Sequence, residues 1–178
     1  MIAYTKLKEI FREASLSSDI AGILHWDMST MMPSNSRNQR AEQLAYLSKL
    51  SHDKISSNEV RDLILEAKSE ELNQNETYNL REIEREHKLT SSVPSDLIQK
   101  ISRTSAKCEG EWQDARKNSN FNLIKNSLGE LIKLTKEEAD ILGKEFNLSP
   151  YEALVNKFEP GSNTKLIANV FDDLQQFL

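Results

Sequence analysis

Apolar side chains recur along this chain at intervals of three and four, the spacing of helices with one buried face. Ala3, Leu7, Ile10, Phe11 and Ala14 predict an opening amphipathic helix. Ser15-Leu16-Ser17-Ser18-Asp19 reads as a break, or as the cap of a second segment carrying Ile20, Ile23, Leu24 and Trp26. Met31-Met32-Pro33-Ser34-Asn35-Ser36 closes that segment, because proline disfavours helical backbone at the residue before it. Ser36 with Gln39, and Ser56 with Glu59, predict capped helix starts ahead of Ala41-Leu44-Ala45 and Val60-Leu63-Ile64-Ala67. Asn73 with Glu76 predicts a helix that carries Leu80 and Ile83 inward and ends near Leu89.

After the break at Val93-Pro94-Ser95-Asp96, one helix side collects Leu97, Ile101, Cys108, Trp112 and Ala115. Phe121 opens a long helix through Phe146, with Gly129 tolerated inside it. Ser149, Pro150 and Glu152 start another, Glu159-Pro160-Gly161 turns the chain, and the last helix begins near Thr164. No stretch holds the alternating pattern of a strand. The expected architecture is all-α, an array of about seven to nine helices, read as a single helical region over residues 1–178. The last helix bears a wide apolar face, Leu166, Ile167, Val170, Phe171, Leu174, Phe177 and Leu178, with no polar closure. It either docks on the other helices or meets a surface outside this chain, in which case marginal stability without self-association is expected.

Composition narrows the class. The 178 residues suffice for a real core, and 5 glycines and 4 prolines are few interruptions. A net charge of −5 argues against a nucleic-acid partner, which favours a basic face. The one cysteine rules out an internal disulfide and suits a reducing, cytoplasmic compartment. Early charges interrupt any secretory-type apolar stretch, and no apolar run reaches membrane-spanning length.

The titratable residues supply little chemistry of their own. The histidines are His25, His52 and His87, and the residues four places on are Ser29, Ser56 and Ser91. No two imidazoles therefore stand one helical turn apart, as a His-Glu-x-x-His zinc site requires. His25 and Asp27, two apart on a helix, point away from each other, which favours structural hydrogen bonds over a shared site. Trp26 reads as a core anchor. Glu84 and His87 have an i, i+3 spacing used in di-metal bundles, but no second copy exists, so a solvated face is the simpler reading. Cys108 reads as a small buried hydrophobe. Arg40 has a fork that matches a carboxylate, and an ion pair with Asp27 or Glu42 is the preferred reading.

A set of motifs in fixed order then points to a family. Leu24-His25-Trp26-Asp27 followed by Thr30-Met31-Met32-Pro33, and Arg40-Ala41-Glu42-Gln43-Leu44-Ala45, resemble the N-terminal part of the thermostable metallocarboxypeptidases of the carboxypeptidase Taq type, peptidase family M32. Leu80-Arg81-Glu82-Ile83, Val93-Pro94-Ser95-Asp96-Leu97, Ser105 to Phe121, and Tyr151-Glu152-Ala153-Leu154 with Phe158-Glu159-Pro160-Gly161 follow in the family's order. The resemblance implies a nearly all-helical, zincin-like, cytoplasmic and commonly homodimeric enzyme. Such enzymes remove C-terminal residues from peptides with zinc or cobalt held by His-Glu-x-x-His and a later glutamate. Those ligands belong to the family's C-terminal part, and no catalytic or metal residue transfers to this chain, so no bound cofactor and no hydrolysis by the chain alone are expected.

The resemblance makes the matched region one wall or lid of a peptide groove. His25, Asp27, Met31, Met32 and Arg40 are then candidates for groove-facing or structural roles, Met31-Met32 lying at a chain break. The expected partners are a separately encoded C-terminal catalytic part, peptides and a second copy. The other reading is a non-catalytic helical module that holds peptides or a partner helix.

Overall fold

The computed structural model describes residues 2–178. Among them are eight α-helices, two 3₁₀ turns and no strand. The helices are α1 (Ile2–Thr30), α2 (Arg37–Ile55), α3 (Asn58–Ala67), α4 (Gln74–Ser92), α5 (Ser95–Lys117), α6 (Lys125–Phe146), α7 (Pro150–Phe158) and α8 (Thr164–Phe177). The chain divides into a unit reaching Leu134 and a second unit, Thr135–Leu178.

In the first unit, Asp27 pairs with Arg40 and Glu13 with Lys54, so rising numbers on α1 meet falling numbers on α2. Glu42 pairs with Arg103 and Arg37 with Asp114, which sets α5 antiparallel to α2 as well. Accordingly α1 and α5 run in the same direction. Met28, Ala41, Leu44 and Ala106 make the shared core of these three helices. The start of α1 packs on α3 and α4 through Leu7, Val60, Ile64, Ala67, Leu80 and Ile83. A third cluster joins Cys108 and Ala115 of α5 to Ile124. Burying each large aliphatic side chain removes about 1.5–3 kcal/mol of exposure cost, and Leu7, Leu44 and Val60 are almost wholly enclosed.

The connections follow local chemistry. Asn73 and Glu76 form a reciprocal capping box at the start of α4. Ser149 accepts from the Glu152 N–H with Pro150 at the first position of α7, and Asn163 caps α8. In the second unit Lys157 pairs with the buried Glu138 at 2.6 Å. Gly143 lies under the Leu148 carbonyl, where an added Cβ would approach to 2.9 Å, so the turn out of α6 requires its missing side chain. Asn147 takes the left-handed conformation there, with φ 54°.

Several expectations need correction. Residues 15–19 neither break nor cap a helix: α1 is continuous, and the Ser17 and Ser18 hydroxyls donate back to the Glu13 and Ala14 carbonyls within it. Ser36 makes no side-chain cap, because residues 34–36 form a 3₁₀ turn that leads directly into α2. The cap of α3 is Ser57, one residue after the serine that the spacing favours. Phe121–Leu123 is a 3₁₀ turn, and α6 starts only at Lys125. The helix expected to end near Leu89 runs to Ser92. Trp26 and Trp112, both expected in the core, are 63% and 46% exposed. No residue of α8 is buried, and its apolar face stands open among the described residues.

Candidate functional site

The residues singled out by sequence gather where the end of α1, the turn after it, the start of α2 and the middle of α5 meet. Arg40 is the centre of this region. Its Nη2 donates to Asp27 Oδ2 at 2.6 Å, its Nη1 to the Leu24 carbonyl at 2.6 Å, and its Nε to Gln43 Oε1 at 3.0 Å. All three guanidinium nitrogens are engaged, so Arg40 locks α1 onto α2 rather than presenting its fork to solvent. Glu42, the other candidate partner, is held bidentately by Arg103 at 2.6 and 2.8 Å.

His25 is exposed on α1, away from Asp27, as helical spacing of two residues dictates. Met32 packs against the Met28–Leu44 cluster, whereas Met31 is 73% exposed at the helix end. The structure therefore joins Asp27 to Arg40 and leaves His25 and Met31 apart, each turned to solvent.

Two contacts that the sequence pattern did not indicate complete the region. Arg37 forms a bidentate pair with Asp114, and hydrogen bonding from that guanidinium holds the Asp114 carboxyl below its ordinary range. The Arg37 stem lies over Gly110, where an added Cβ would come 3.0 Å from Cδ. Ser29 Oγ donates to Glu109 Oε1 at 3.0 Å and ties α1 to α5. The one available sequence signal was Gly110 inside an otherwise regular helix, a residue that permits close approach. Nothing local reveals which side chain approaches.

The donor set does not suit a catalytic metal. His52 is buried and its Nε2–H donates to the Val93 carbonyl at 2.7 Å. The His87 Nδ1–H donates to the Ile55 carbonyl at 2.7 Å, and Glu84 pairs with Lys68. His52 thus ties the end of α2 to the Val93 carbonyl, and His87 ties α4 to the Ile55 carbonyl at the end of α2. Among the described residues no three His, Cys, Asp or Glu side chains stand close enough to hold an ion. Cys108 is buried and unpaired.

The model of the Carboxypeptidase Taq (M32) metallopeptidase family matches residues 6–178. The chain belongs to the M32 family. It is 25% identical over 190 aligned residues to thermostable carboxypeptidase 1 of Thermus thermophilus, an alignment that takes in 99% of this chain and 37% of that protein. The structure of Trypanosoma cruzi metallocarboxypeptidase 1 superposes with a TM-score of 0.78 at 28% identity, covering 100% of this chain and 36% of the other. The BsuCP crystal structure shares the fold with a TM-score of 0.89 at 24% identity, covering 99% of this chain and 35% of that one. The M32 chain thus spans about a third of the length of the relatives it matches. Among its described residues no helix is long and apolar enough to cross a membrane.

Proposed function

We propose that this chain forms part of the wall of a peptide groove in an M32 metallocarboxypeptidase, and that hydrolysis and the metal ligands belong to polypeptide corresponding to the other two-thirds of its relatives. One observation carries the reading. The family match runs along residues 6–178, yet the matched region holds no constellation of side chains able to bind the metal that the family requires. Its own residues then act by position: Arg40 and Arg37 fix α1 and α5 on α2, and the rigid three-helix layer presents its outer faces to substrate. The open apolar face of α8 is consistent with packing against further protein. The unpaired Cys108 suits a cytoplasmic setting.

The test is complementation. The chain is mixed with a separately produced C-terminal two-thirds of an M32 relative, with zinc or cobalt, and release of C-terminal amino acids from peptides is followed. Activity only in the mixture is expected. Metal-dependent turnover by the purified chain alone would overturn the reading. Peptide binding without any rescue would instead favour a non-catalytic binding module.

A further inference from the structure

Arg85 carries the one buried side-chain nitrogen or oxygen that has no hydrogen-bond partner among the described residues. Its Nε donates to Glu82 Oε2 at 3.0 Å, one turn back on α4, while Nη1 is left without an acceptor. A guanidinium N–H buried unpaired costs stability, and a group left in that state calls for a further acceptor. Arg85 stands at the wall of a cavity of about 360 Å³ between α1 and α4. That volume lies at the small end of the range for ligand sites, about 300–1,000 Å³. The Arg85 side chain keeps 28% of its surface exposed, so a modest turn of the planar group brings Nη1 to the cavity.

The lining decides what fits. Two cations, Lys8 and Arg85, are matched by two carboxylates, Glu82 and Glu86, and Phe11 and Ile83 supply apolar surface. Lys8 Nζ lies 4.9 Å over the Tyr4 ring, and Glu86 receives only a long contact of 3.5 Å from the Thr90 hydroxyl. Phe11 is half-buried against the cluster that contains Leu7 and Ile83. A simple anion at Arg85 meets repulsion from Glu82 and Glu86, and a simple cation meets it from Lys8 and Arg85. A neutral apolar molecule leaves Nη1 unpaired. A zwitterion answers both signs. Glu82 and Glu86 stand one turn apart, about 5–6 Å between Cβ atoms, with Arg85 beside them. That scale suits a molecule bearing its ammonium and carboxylate on one carbon.

We infer that the α1–α4 cavity is a binding site for a free apolar α-amino acid. Its carboxylate takes the Arg85 guanidinium, its ammonium is held by Glu86 and its side chain rests on Phe11. The inference is independent of the groove-wall reading, since every group it uses lies on α1 or α4 and none takes part in the contacts around Arg40.

Isothermal titration of the full chain with L-leucine tests it. The comparison probes are isocaproate, which lacks the ammonium, isopentylamine, which lacks the carboxylate, and inorganic phosphate. Saturable binding of L-leucine is expected, roughly tenfold or more tighter than that of any comparison probe. Arg85→Gln and Glu86→Gln should each weaken leucine binding roughly tenfold, and leucine should shift the Arg85 Nε–H resonance in NMR spectra of the parent chain. No binding up to the solubility limit of leucine would overturn the inference and leave a water-filled cavity. Isocaproate or phosphate binding as tightly as leucine would also overturn it, in favour of a plain anion site. Undiminished binding to both variants would do the same by placing leucine elsewhere on the chain. Should Arg85→Gln fail to fold, the probe series on the parent chain and the Glu86→Gln titration still decide. Complementation with a catalytic part is unaffected by either result, so the groove-wall reading stands or falls separately.

Discussion

Replacing Arg40 with alanine tests whether the region is held by a structural clamp or carries a substrate ligand. The side chain is 13% exposed and its partner Asp27 34% exposed. Alanine removes two short charge-assisted bonds, to Asp27 and to the Leu24 carbonyl, and a third to Gln43. A hydrogen bond to a charged group contributes about 1.5–3 kcal/mol when its partner is left behind. Asp27 regains some water, and open ion pairs contribute at most about 1 kcal/mol. The lost side-chain stem and the bond to Leu24 restore part of the difference. The expected cost is therefore about 2–3 kcal/mol in all, or a melting temperature lower by roughly 4–12 °C for a chain of this size. Urea and thermal melts followed by circular dichroism measure it. Asp27→Ala and the double variant close the cycle, with an expected coupling of about 1 kcal/mol. An Arg40→Ala protein within about 0.5 kcal/mol of the parent, with no coupling to Asp27, would refute the clamp and return Arg40 to the list of substrate ligands.

Core and surface positions on α2 should separate cleanly. Leu44 is 1% exposed and Tyr46 64%; Leu44→Ala should cost about 2.7–5 kcal/mol and Tyr46→Ala less than about 0.5 kcal/mol, and equal effects in urea melts would contradict the three-helix core. Acidification should destabilise the first unit. Hydrogen bonds from Lys49 and Ser95 hold Asp53 below its ordinary range, Arg103 does the same for Glu42, and Arg37 for Asp114. Carboxyls depressed in the fold contribute fully above their unfolded value of about 4 and lose that contribution as pH falls through the folded values. Melts at a series of pH values should show stability dropping below about pH 4, and a flat or rising profile would contradict these pairings.

The helical class, the cap at Asn73 with Glu76, the start of α7 at Ser149 and the inward faces of α3 and α4 were all legible from residue spacing, because local hydrogen bonds and periodicity decide them. That no two histidines stand four residues apart is a property of the sequence itself. Tertiary structure decided what periodicity leaves open. Serines that favour a break were absorbed into α1 by back-bonding to carbonyls, and Ser36 yielded its cap to a 3₁₀ turn. An apolar residue such as Trp26 satisfies a helical pattern whether or not a neighbour covers it, so its exposure depends on which helices pack, and on which side. The Arg37–Asp114 and Ser29–Glu109 contacts, and the choice of Asp27 over Glu42 as the partner of Arg40, arise from the antiparallel docking of α2 against two parallel helices. Their partners lie far apart in sequence, where no spacing rule reaches.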